Sequence, residues 1–214
     1  MAMGFLHYVS QAWPTIMQRS VEHLGIALTA VLIAMLIAVP LGILLSRFER
    51  LAPPVLGASN IIMTIPSLAF LALFMPVMGL GKPPAIAALT LYAIMPIMRN
   101  TYTGIRKVDA AVIEAGIGMG MTGRQLLFRV ELPIALAVLL AGLRTTLVII
   151  IGSTTLAAFV GGGGLGQLIW SGINSFNTNM ILAGALPSAV LALSADVMLG
   201  ALENRLTPRG LRKP

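Results

Sequence analysis

Long uncharged apolar runs separated by short polar segments dominate this chain of 214 residues. These runs predict membrane-spanning helices at about residues 24–46, 58–78, 85–104, 134–159 and 180–200. A helix of about 23 residues extends roughly 34 Å, which is sufficient to cross the ~30 Å hydrocarbon core of a bilayer. The pattern therefore predicts an all-α polytopic membrane protein with five spans.

The polar segments around these runs predict the domain organisation. Residues 1–22 mix aromatic and polar side chains, which is typical of an interfacial segment, and we expect it on the extracytoplasmic side. We expect residues 23–206 to form a single transmembrane domain and residues 207–214 to form a basic cytoplasmic tail. A sixth membrane segment would require that residues 4–18 or 165–173 insert, and both stretches are short for a span.

Prolines and glycines predict where the helices are interrupted. Pro66 predicts a kink within the second span, and Lys82-Pro83-Pro84 predicts a tight turn before the third. The glycine run at residues 161–166 predicts a flexible hinge at the outer end of the fourth span. That run matches G-x-G-x-x-G, but it follows a membrane helix instead of a strand, which argues against a dinucleotide site.

The composition narrows the class of protein. Only 10% of the residues are charged, against about 25% in soluble domains. The absence of cysteine excludes disulfides and thiolate metal sites. His7 and His23 lack acidic partners in the sequence, and we interpret them as interfacial residues rather than metal ligands. The net charge of +7 is distributed between the apolar runs and forms no single patch, so a nucleic-acid partner is rejected.

The basic residues predict an orientation. If residues 105–133 are cytoplasmic, eleven of the 14 Lys and Arg residues lie on that side and only Arg19 and Lys82 lie outside. This bias follows the positive-inside rule. With five spans, the N-terminus faces out and the C-terminus faces in.

The polar segment at residues 105–133 is the longest interruption of the membrane pattern. Its several glycines disfavour one long helix, so we expect two short helices joined by a glycine turn at residues 120–123. A short helix of this kind either inserts into a groove on a partner or lies on the membrane surface. Residue types alone slightly favour the second alternative.

A spaced motif within that segment changes this interpretation. Glu114-Ala115-Gly116 is followed by Gly120, Val130 and Leu132-Pro133. The spacing resembles the EAA loop of ABC-importer permeases, with Gly116 in place of Ala and Val130 in place of Ile. Further stretches at residues 64–74, 92–105 and 155–166 are similar to the permeases of osmoprotectant importers for glycine betaine, carnitine, choline or proline betaine.

The resemblance implies a fold and a set of partners. It implies a five-helix core of the methionine-permease type in a prokaryotic inner membrane, working by alternating access. The implied partners are two cytoplasmic ABC ATPases, a second permease (the same chain or a paralogue) and a separate extracytoplasmic solute-binding protein. ATP and Mg belong to the partner ATPase. This chain has no P-loop motif, so we expect no cofactor on it and no enzymatic activity.

The same resemblance assigns the role of coupling to the ATPase to specific positions. These positions are Glu114, Ala115, Gly116, Gly120, Val130, Leu132 and Pro133.

Other polar residues within the predicted spans are candidates for further roles. Arg144 and Asp196 fall at similar depth on the fourth and fifth spans, so they either form a structural ion pair or snorkel separately. The small polar residues among them have two alternative roles: they line the transport pathway, or they hold helices together. These candidates are Asn60, Thr64, Ser67, Ser153, Thr154 and Thr155.

Two alternative functions remain open from the sequence. One is an ABC permease for methionine or another small solute, which would share the coupling loop. The other is an ion-coupled secondary transporter, for which Asp196 would be the intramembrane carboxylate.

Overall fold

The computed structural model describes residues 2–206, so the predicted tail at 207–214 lies outside the described residues. No β-strand occurs in that part of the chain. The helices in chain order are α1 (Ala2–Arg47), α2 (Ala52–Met63), α3 (Ser67–Met78), α4 (Lys82–Arg106), α5 (Ala110–Gly118), α6 (Gly123–Leu126), a π-helical turn (Leu127–Glu131), α7 (Leu132–Ser153), a 3-10 helix (Thr154–Val160), α8 (Gly166–Asn174) and α9 (Thr178–Leu206).

Several of these helices have the length and hydropathy of membrane spans. Within the described residues three helical units qualify, Gly4–Arg47, Gly123–Val160 and Thr178–Leu206. The pair α2 and α3 adds a fourth if the two helices are counted together. Helix α4 has 25 residues, or roughly 37 Å of helix, and its buried face packs between α1 and α7. The all-α membrane fold agrees with the prediction from the sequence. The number of spans, five, remains a prediction.

The first helix differs from the sequence prediction. Residues 2–22 continue without a break into the first span as the 46-residue helix α1, so no helix boundary separates them from that span. Phe5, Val9, Ala12 and Ile16 recur at helical spacing and pack against α8 and α9. This apolar stripe explains why the helix extends so far toward the N-terminus.

The second predicted span is broken rather than kinked. Helices α2 and α3 meet at 92° across Thr64–Pro66. Pro66 lacks an N–H and disfavours a helical residue before it, so α2 ends there and Pro66 caps α3. The hydroxyl of Tyr92 lies 3.5 Å from the Met63 carbonyl and 3.4 Å from the Ile65 carbonyl, on the open end of α2.

The predicted turn at Lys82-Pro83-Pro84 is wrong, because these residues form the first turn of α4. Proline is suited to that position, where its missing N–H has no helical acceptor to lose. The chain reverses direction just before α4, at Gly79 and Gly81, which both have positive φ. Gly81 also donates its N–H to the Val160 carbonyl at 2.7 Å.

The main core lies between α1, α4 and α7. Helix α1 contributes Ala27, Ala30, Ala34 and Ala38, all of them buried, to this contact. Small side chains permit close approach of helix backbones, which is how membrane helices commonly associate. Helices α1 and α4 approach closely at Gly42, where an added Cβ would lie 2.6 Å from the Cβ of Thr101.

The glycine run after α7 is a packed structure and not the flexible hinge that the sequence predicts. The α-helix of the fourth span ends at Ser153, continues as a 3-10 helix to Val160, and then enters a turn in which residues 162–166 are buried. Helix α8 follows and packs against α9. Gly163 and Gly164 have positive φ, a conformation that favours glycine, and both face the side of α1 near Glu22.

Candidate functional site

The residues between α4 and α7 form two short helices at one end of the bundle, as the sequence predicts. The Asp109 carboxylate caps α5 by accepting the Ala111 N–H at 2.9 Å. Thr122 and Gln125 form a reciprocal capping box that begins α6. Gly120 turns the chain between the two helices with φ +77°. The predicted pair of helices joined by a glycine turn is therefore confirmed.

Helix α5 packs on α6 with one face and exposes the other. Gly116 is buried, and a Cβ there would lie 2.7 Å from the Leu126 Cδ1 atom, so α5 rests directly on α6. Glu114 and Ala115 are exposed. Apolar side chains of the same region also face outward, and these are Val112, Ile117 and Met119. The exposed patch therefore combines an acidic side chain with apolar ones, a composition suited to insertion into a groove on a partner.

Helix α6 is joined to α7 without a loop. A π-helical turn over Leu127–Glu131 connects them, and the Leu132 N–H donates to the Leu127 carbonyl across it. Val130 and Leu132 are half-buried in this joint, while Pro133 is exposed in the first turn of α7. The seven predicted coupling residues therefore lie on α5, at the glycine turn after it, in the π-helical turn and at the start of α7.

Two ion pairs surround this region, and neither was identified from the sequence. Arg47, at the end of α1, donates two hydrogen bonds to the carboxylate of Glu131, and the bond to Oε1 measures 3.0 Å. Glu131 is 1% exposed. Arg106 and Glu49 form a second, solvent-exposed pair at 2.6 Å. The Arg47 and Glu131 positions are 84 residues apart, so no local sequence pattern indicates their contact.

Arg144 and Asp196 meet between α7 and α9. The Arg144 Nε and Nη2 atoms each lie 2.6 Å from a carboxylate oxygen of Asp196. Glu203, about two turns further along α9, approaches Arg144 Nη1 at 3.8 Å. Gly200 leaves room for the guanidinium, because a Cβ there would lie 2.9 Å from Nη1. The structure thus brings the two predicted partners into bidentate contact.

One of the polar residues near the break between α2 and α3 contacts α4. Asn60 accepts a hydrogen bond from Arg99 at 3.1 Å. The Thr64 hydroxyl donates to the Ile61 carbonyl at 2.7 Å, and Ser67 begins α3. These residues lie beside an interrupted helix, a structure that membrane proteins tolerate where backbone is buried in protein or borders a cavity.

The second polar group lies at the end of α7. Thr154 is fully buried and donates its hydroxyl hydrogen to the Ile150 carbonyl, and Thr155 donates to the Gly152 carbonyl. Ser153 is the last residue of α7 and is half-buried. Within residues 2–206, no hydrogen bond joins this group to the polar residues at the break between α2 and α3.

The end of the bundle opposite α5 carries a further polar cluster on α1. Glu22 accepts hydrogen bonds from Arg19 at 2.8 Å and from the Gly164 N–H at 3.2 Å. His23 is fully buried and its Nε2 lies 2.8 Å from the Ile151 carbonyl oxygen, so its interpretation as an interfacial histidine is wrong. These contacts attach the glycine turn and the end of α7 to α1.

The chain matches, over residues 30–208, the family described as the inner membrane component of binding-protein-dependent transport systems. The chain belongs to this family. The resemblance to osmoprotectant ABC permeases is confirmed. Members are permease subunits that translocate solute across the inner membrane, working with solute-binding proteins and with ATPases that are separate chains.

Several curated relatives match nearly the whole chain. The choline transport system permease protein OpuBB of Bacillus subtilis (strain 168) is 45% identical, and the match covers 97% of this chain and 98% of that protein. The glycine betaine/carnitine/choline transport system permease protein OpuCD of the same organism is 49% identical, with coverage of 94% and 88%. The osmoprotectant import permease protein OsmW of Salmonella typhimurium is 41% identical, with coverage of 98% and 100%.

Solved structures confirm the fold. An inward-facing structure of the MetNI methionine ABC transporter matches with a TM-score of 0.81 at 25% identity, covering 87% of this chain and 94% of that chain. A crystal structure of an amino acid ABC transporter with histidines matches with a TM-score of 0.77 at 20% identity, covering 94% and 98%. The methionine-permease-like core predicted from the sequence is therefore the fold of this chain.

Proposed function

We propose that this chain imports quaternary ammonium osmoprotectants, such as glycine betaine, carnitine or choline, as the permease subunit of an ATP-driven importer. The observation that carries this proposal is the 41–49% identity to permeases described by those solutes, over nearly the whole chain. The methionine transporter shares the fold but is only 25% identical, which favours an osmoprotectant over methionine.

The α5–α6 segment is the proposed contact with the ATPase. Its exposed face carries Glu114 and Ala115, and its glycine turn at Gly120 holds α5 and α6 at a fixed angle. Gly116 supports the contact between the two helices, and Val130, Leu132 and Pro133 connect them to α7. Movement of the ATPases on binding ATP with Mg would pass through these residues into α7.

The proposed mechanism is alternating access. ATP binding closes two ATPase subunits, the α5–α6 segment moves with them, and the helices of two permease subunits reorient to release solute inward. The second permease is another copy of this chain or a paralogue, and a separate extracytoplasmic protein delivers the solute. In this arrangement α5 lies on the cytoplasmic side, the N-terminus faces out, the C-terminus faces in, and the core crosses the membrane five times.

Three groups of polar residues receive proposed roles within the membrane domain. The bidentate contact of Arg144 with Asp196 supports a structural tether between α7 and α9. Asn60, Thr64 and Ser67 at the broken helix are proposed to border the transport pathway or its gate. Ser153, Thr154 and Thr155 are proposed for the same role at the end of α7.

Co-purification tests the coupling role. The tagged chain would be extracted from its native membrane in mild detergent, beside a Glu114→Lys variant and an exposed-carboxylate control, Glu49→Lys. We expect a stoichiometric ATPase with the wild type and the control, and a reduced amount with Glu114→Lys. A second permease in the wild-type sample would identify a heterodimer. If no ATPase is recovered under conditions that preserve other ABC complexes, the importer proposal fails for this chain.

Uptake measurements test the solute. Proteoliposomes containing the purified complex and its binding protein would be supplied with labelled glycine betaine, carnitine, choline or methionine. Accumulation of the quaternary amines that depends on ATP supports the proposal. Uptake of methionine alone would favour the methionine-permease alternative, and uptake driven by an ion gradient without ATP would favour a secondary transporter.

A further inference from the structure

The strongest unassigned feature is the ion pair that joins the exposed Arg47 side chain at the end of α1 to a buried carboxylate before α7. Arg47 and Glu131 form two parallel hydrogen bonds, and the Glu131 carboxylate is almost completely buried at 1% exposure. A guanidinium that donates two parallel hydrogen bonds to a carboxylate restricts both the distance and the angle between the two groups. Such a contact therefore sets the relative position of the two groups in addition to attracting them. The carboxylate is shielded from water, whereas the Arg47 side chain is 40% exposed.

Glu131 lies at a point where movement of α6 must reach the membrane domain. Helix α6, the π-helical turn and α7 form one continuous helical unit. Within the turn Phe128 and Arg129 are exposed, whereas Glu131 points into the protein. π-helical turns within α-helices are rare and frequently occur at functional sites. Any displacement of α6 therefore moves the Glu131 carboxylate directly.

Arg47 lies at the end of α1 that contacts Glu131. It is in the last turn of that helix, where a positive charge is also stabilised by the carbonyl end of the helix. Helix α1 packs extensively along α4, so a force on the end of α1 reaches the centre of the core. A cavity of about 210 Å³ lies beneath α5, beside Arg47 and Glu131, and is bordered by Ile105, Val108 and Ile113. The space allows α5 to shift while the ion pair holds.

We infer that Arg47 and Glu131 are positioning residues that carry the movement of the α5–α6 segment into α1, in addition to its direct path into α7. This inference rests on the proposed coupling function. Helices α1 and α7 would then move together. Without the ion pair, α7 would still respond to the ATPase, whereas α1 would not. ATP hydrolysis would continue in that case, but less solute would cross for each ATP.

The test uses variants that avoid an unpaired buried charge. Removal of Arg47 alone would leave the buried Glu131 carboxylate without compensation, so the main variant replaces both residues, Arg47→Gln with Glu131→Gln. Arg47→Lys keeps the charge but loses the planar fork, and it provides a folded alternative if the double variant assembles poorly. The matched control is Glu49→Gln with Arg106→Gln, which removes the exposed ion pair at the same end of the bundle.

The measurement is made on the complete complex in proteoliposomes with its binding protein. Three quantities are compared: ATPase bound per permease, the rate of ATP hydrolysis, and solute imported per ATP hydrolysed. We expect the double variant to bind ATPase normally while solute per ATP falls about fivefold or more, within the usual range of coupling between sites. Arg47→Lys should show a smaller fall, and the control pair should match the wild type.

Two outcomes overturn the inference. One is a normal yield of solute per ATP in the double variant and in Arg47→Lys. The other is a transport loss in both variants that is fully explained by loss of assembled complex, which would make the pair structural. The proposed function is judged separately, because it fails if the wild type binds no ATPase. If Glu114→Lys releases the ATPase while the ion-pair variants transport normally, only the inference about Arg47 and Glu131 fails.

Discussion

Arg144 on α7 holds the carboxylate of Asp196 on α9 through two hydrogen bonds of 2.6 Å, between positions 52 residues apart in the chain. Glu203 adds a second negative charge near Nη1, the guanidinium nitrogen that Asp196 does not contact. Helices α7 and α9 also pack closely along their length. We therefore propose that the ion pair sets the depth at which the two helices meet.

Separation of this pair should impair assembly. We expect Arg144→Gln and Asp196→Asn each to lower the yield and the thermal stability of the purified complex, because each leaves one charge of the pair without its main partner. The charge-swapped double variant, Arg144→Asp with Asp196→Arg, should recover part of the loss. Detergent-solution melting curves measure the effect. A swapped variant no better than either single variant would remove support for a tether.

A second prediction concerns the contact between α1 and α4 at Gly42. A Cβ at this position would lie 2.6 Å from Thr101 Cβ and 2.8 Å from the Met98 carbonyl oxygen, so a backbone must move. Overpacking of this kind typically costs about 1–3 kcal/mol. We expect Gly42→Ala to lower the melting temperature. Gly25→Ala in the same helix is the control, since nothing lies within 4 Å of its added Cβ. Equal effects of the two substitutions would contradict the close approach.

Local signals made the α5–α6 segment predictable. Helices α5 and α6 begin at the capping residues Asp109 and Thr122, and the turn at Gly120 separates them. Each of these residues acts on its immediate neighbours, so the spacing of the three indicates the bounds of the two helices. The break at Pro66 was also signalled locally, although its 92° angle depends on packing against α4. Features of this kind require no knowledge of the tertiary fold.

Features set by distant contacts were not predictable in the same way. The polar composition of residues 1–22 suggested an interface, whereas the spacing of Phe5, Val9, Ala12 and Ile16 held the relevant signal of a packed helix. His23 is buried because α7 and the glycine turn close over it. Glu131 stands within the loop motif, but its partner Arg47 could be named only once the fold was known.

A third prediction concerns Phe176, which follows α8 in a left-handed conformation with φ +53°. Two hydrogen bonds, Phe176 N–H to the Ile173 carbonyl and Asn177 N–H to the Gly172 carbonyl, form the helix-ending motif in which glycine is usual. The ring is 94% exposed and contributes little packing. The left-handed conformation costs a non-glycine residue roughly 1–2 kcal/mol, partly offset by the greater chain entropy of glycine.

Phe176→Gly should therefore raise the melting temperature of the complex, by an amount equivalent to about 0.5–1 kcal/mol. Phe176→Ala is the control, because it removes the exposed ring while retaining the strained backbone, and it should melt close to the wild type. A fall in stability with both variants would show that the ring contributes more to folding than its exposure indicates.

The last prediction links the glycine turn of the α5–α6 segment to transport. Gly120 has φ +77°, and a Cβ there would meet no neighbouring atom within 4 Å, so strain rather than a clash is the only obstacle to substitution. Gly120→Ala should cost about 1 kcal/mol locally and loosen the angle between α5 and α6. Since that angle presents Glu114 to the ATPase in the proposed mechanism, we expect reduced ATPase binding with little change in the melting temperature of the membrane core.

Gly118→Ala is the matched control for this experiment. Gly118 ends α5 with ordinary helical geometry and open space around its Cα, so alanine should be neutral or slightly favourable for the helix. Both variants would be compared by ATPase co-purification and by ATP-dependent uptake in proteoliposomes. If Gly120→Ala and Gly118→Ala retain equal ATPase and equal uptake, the angle set at Gly120 does not matter for coupling. In that case α5 must dock through its exposed face independently of its orientation on α6.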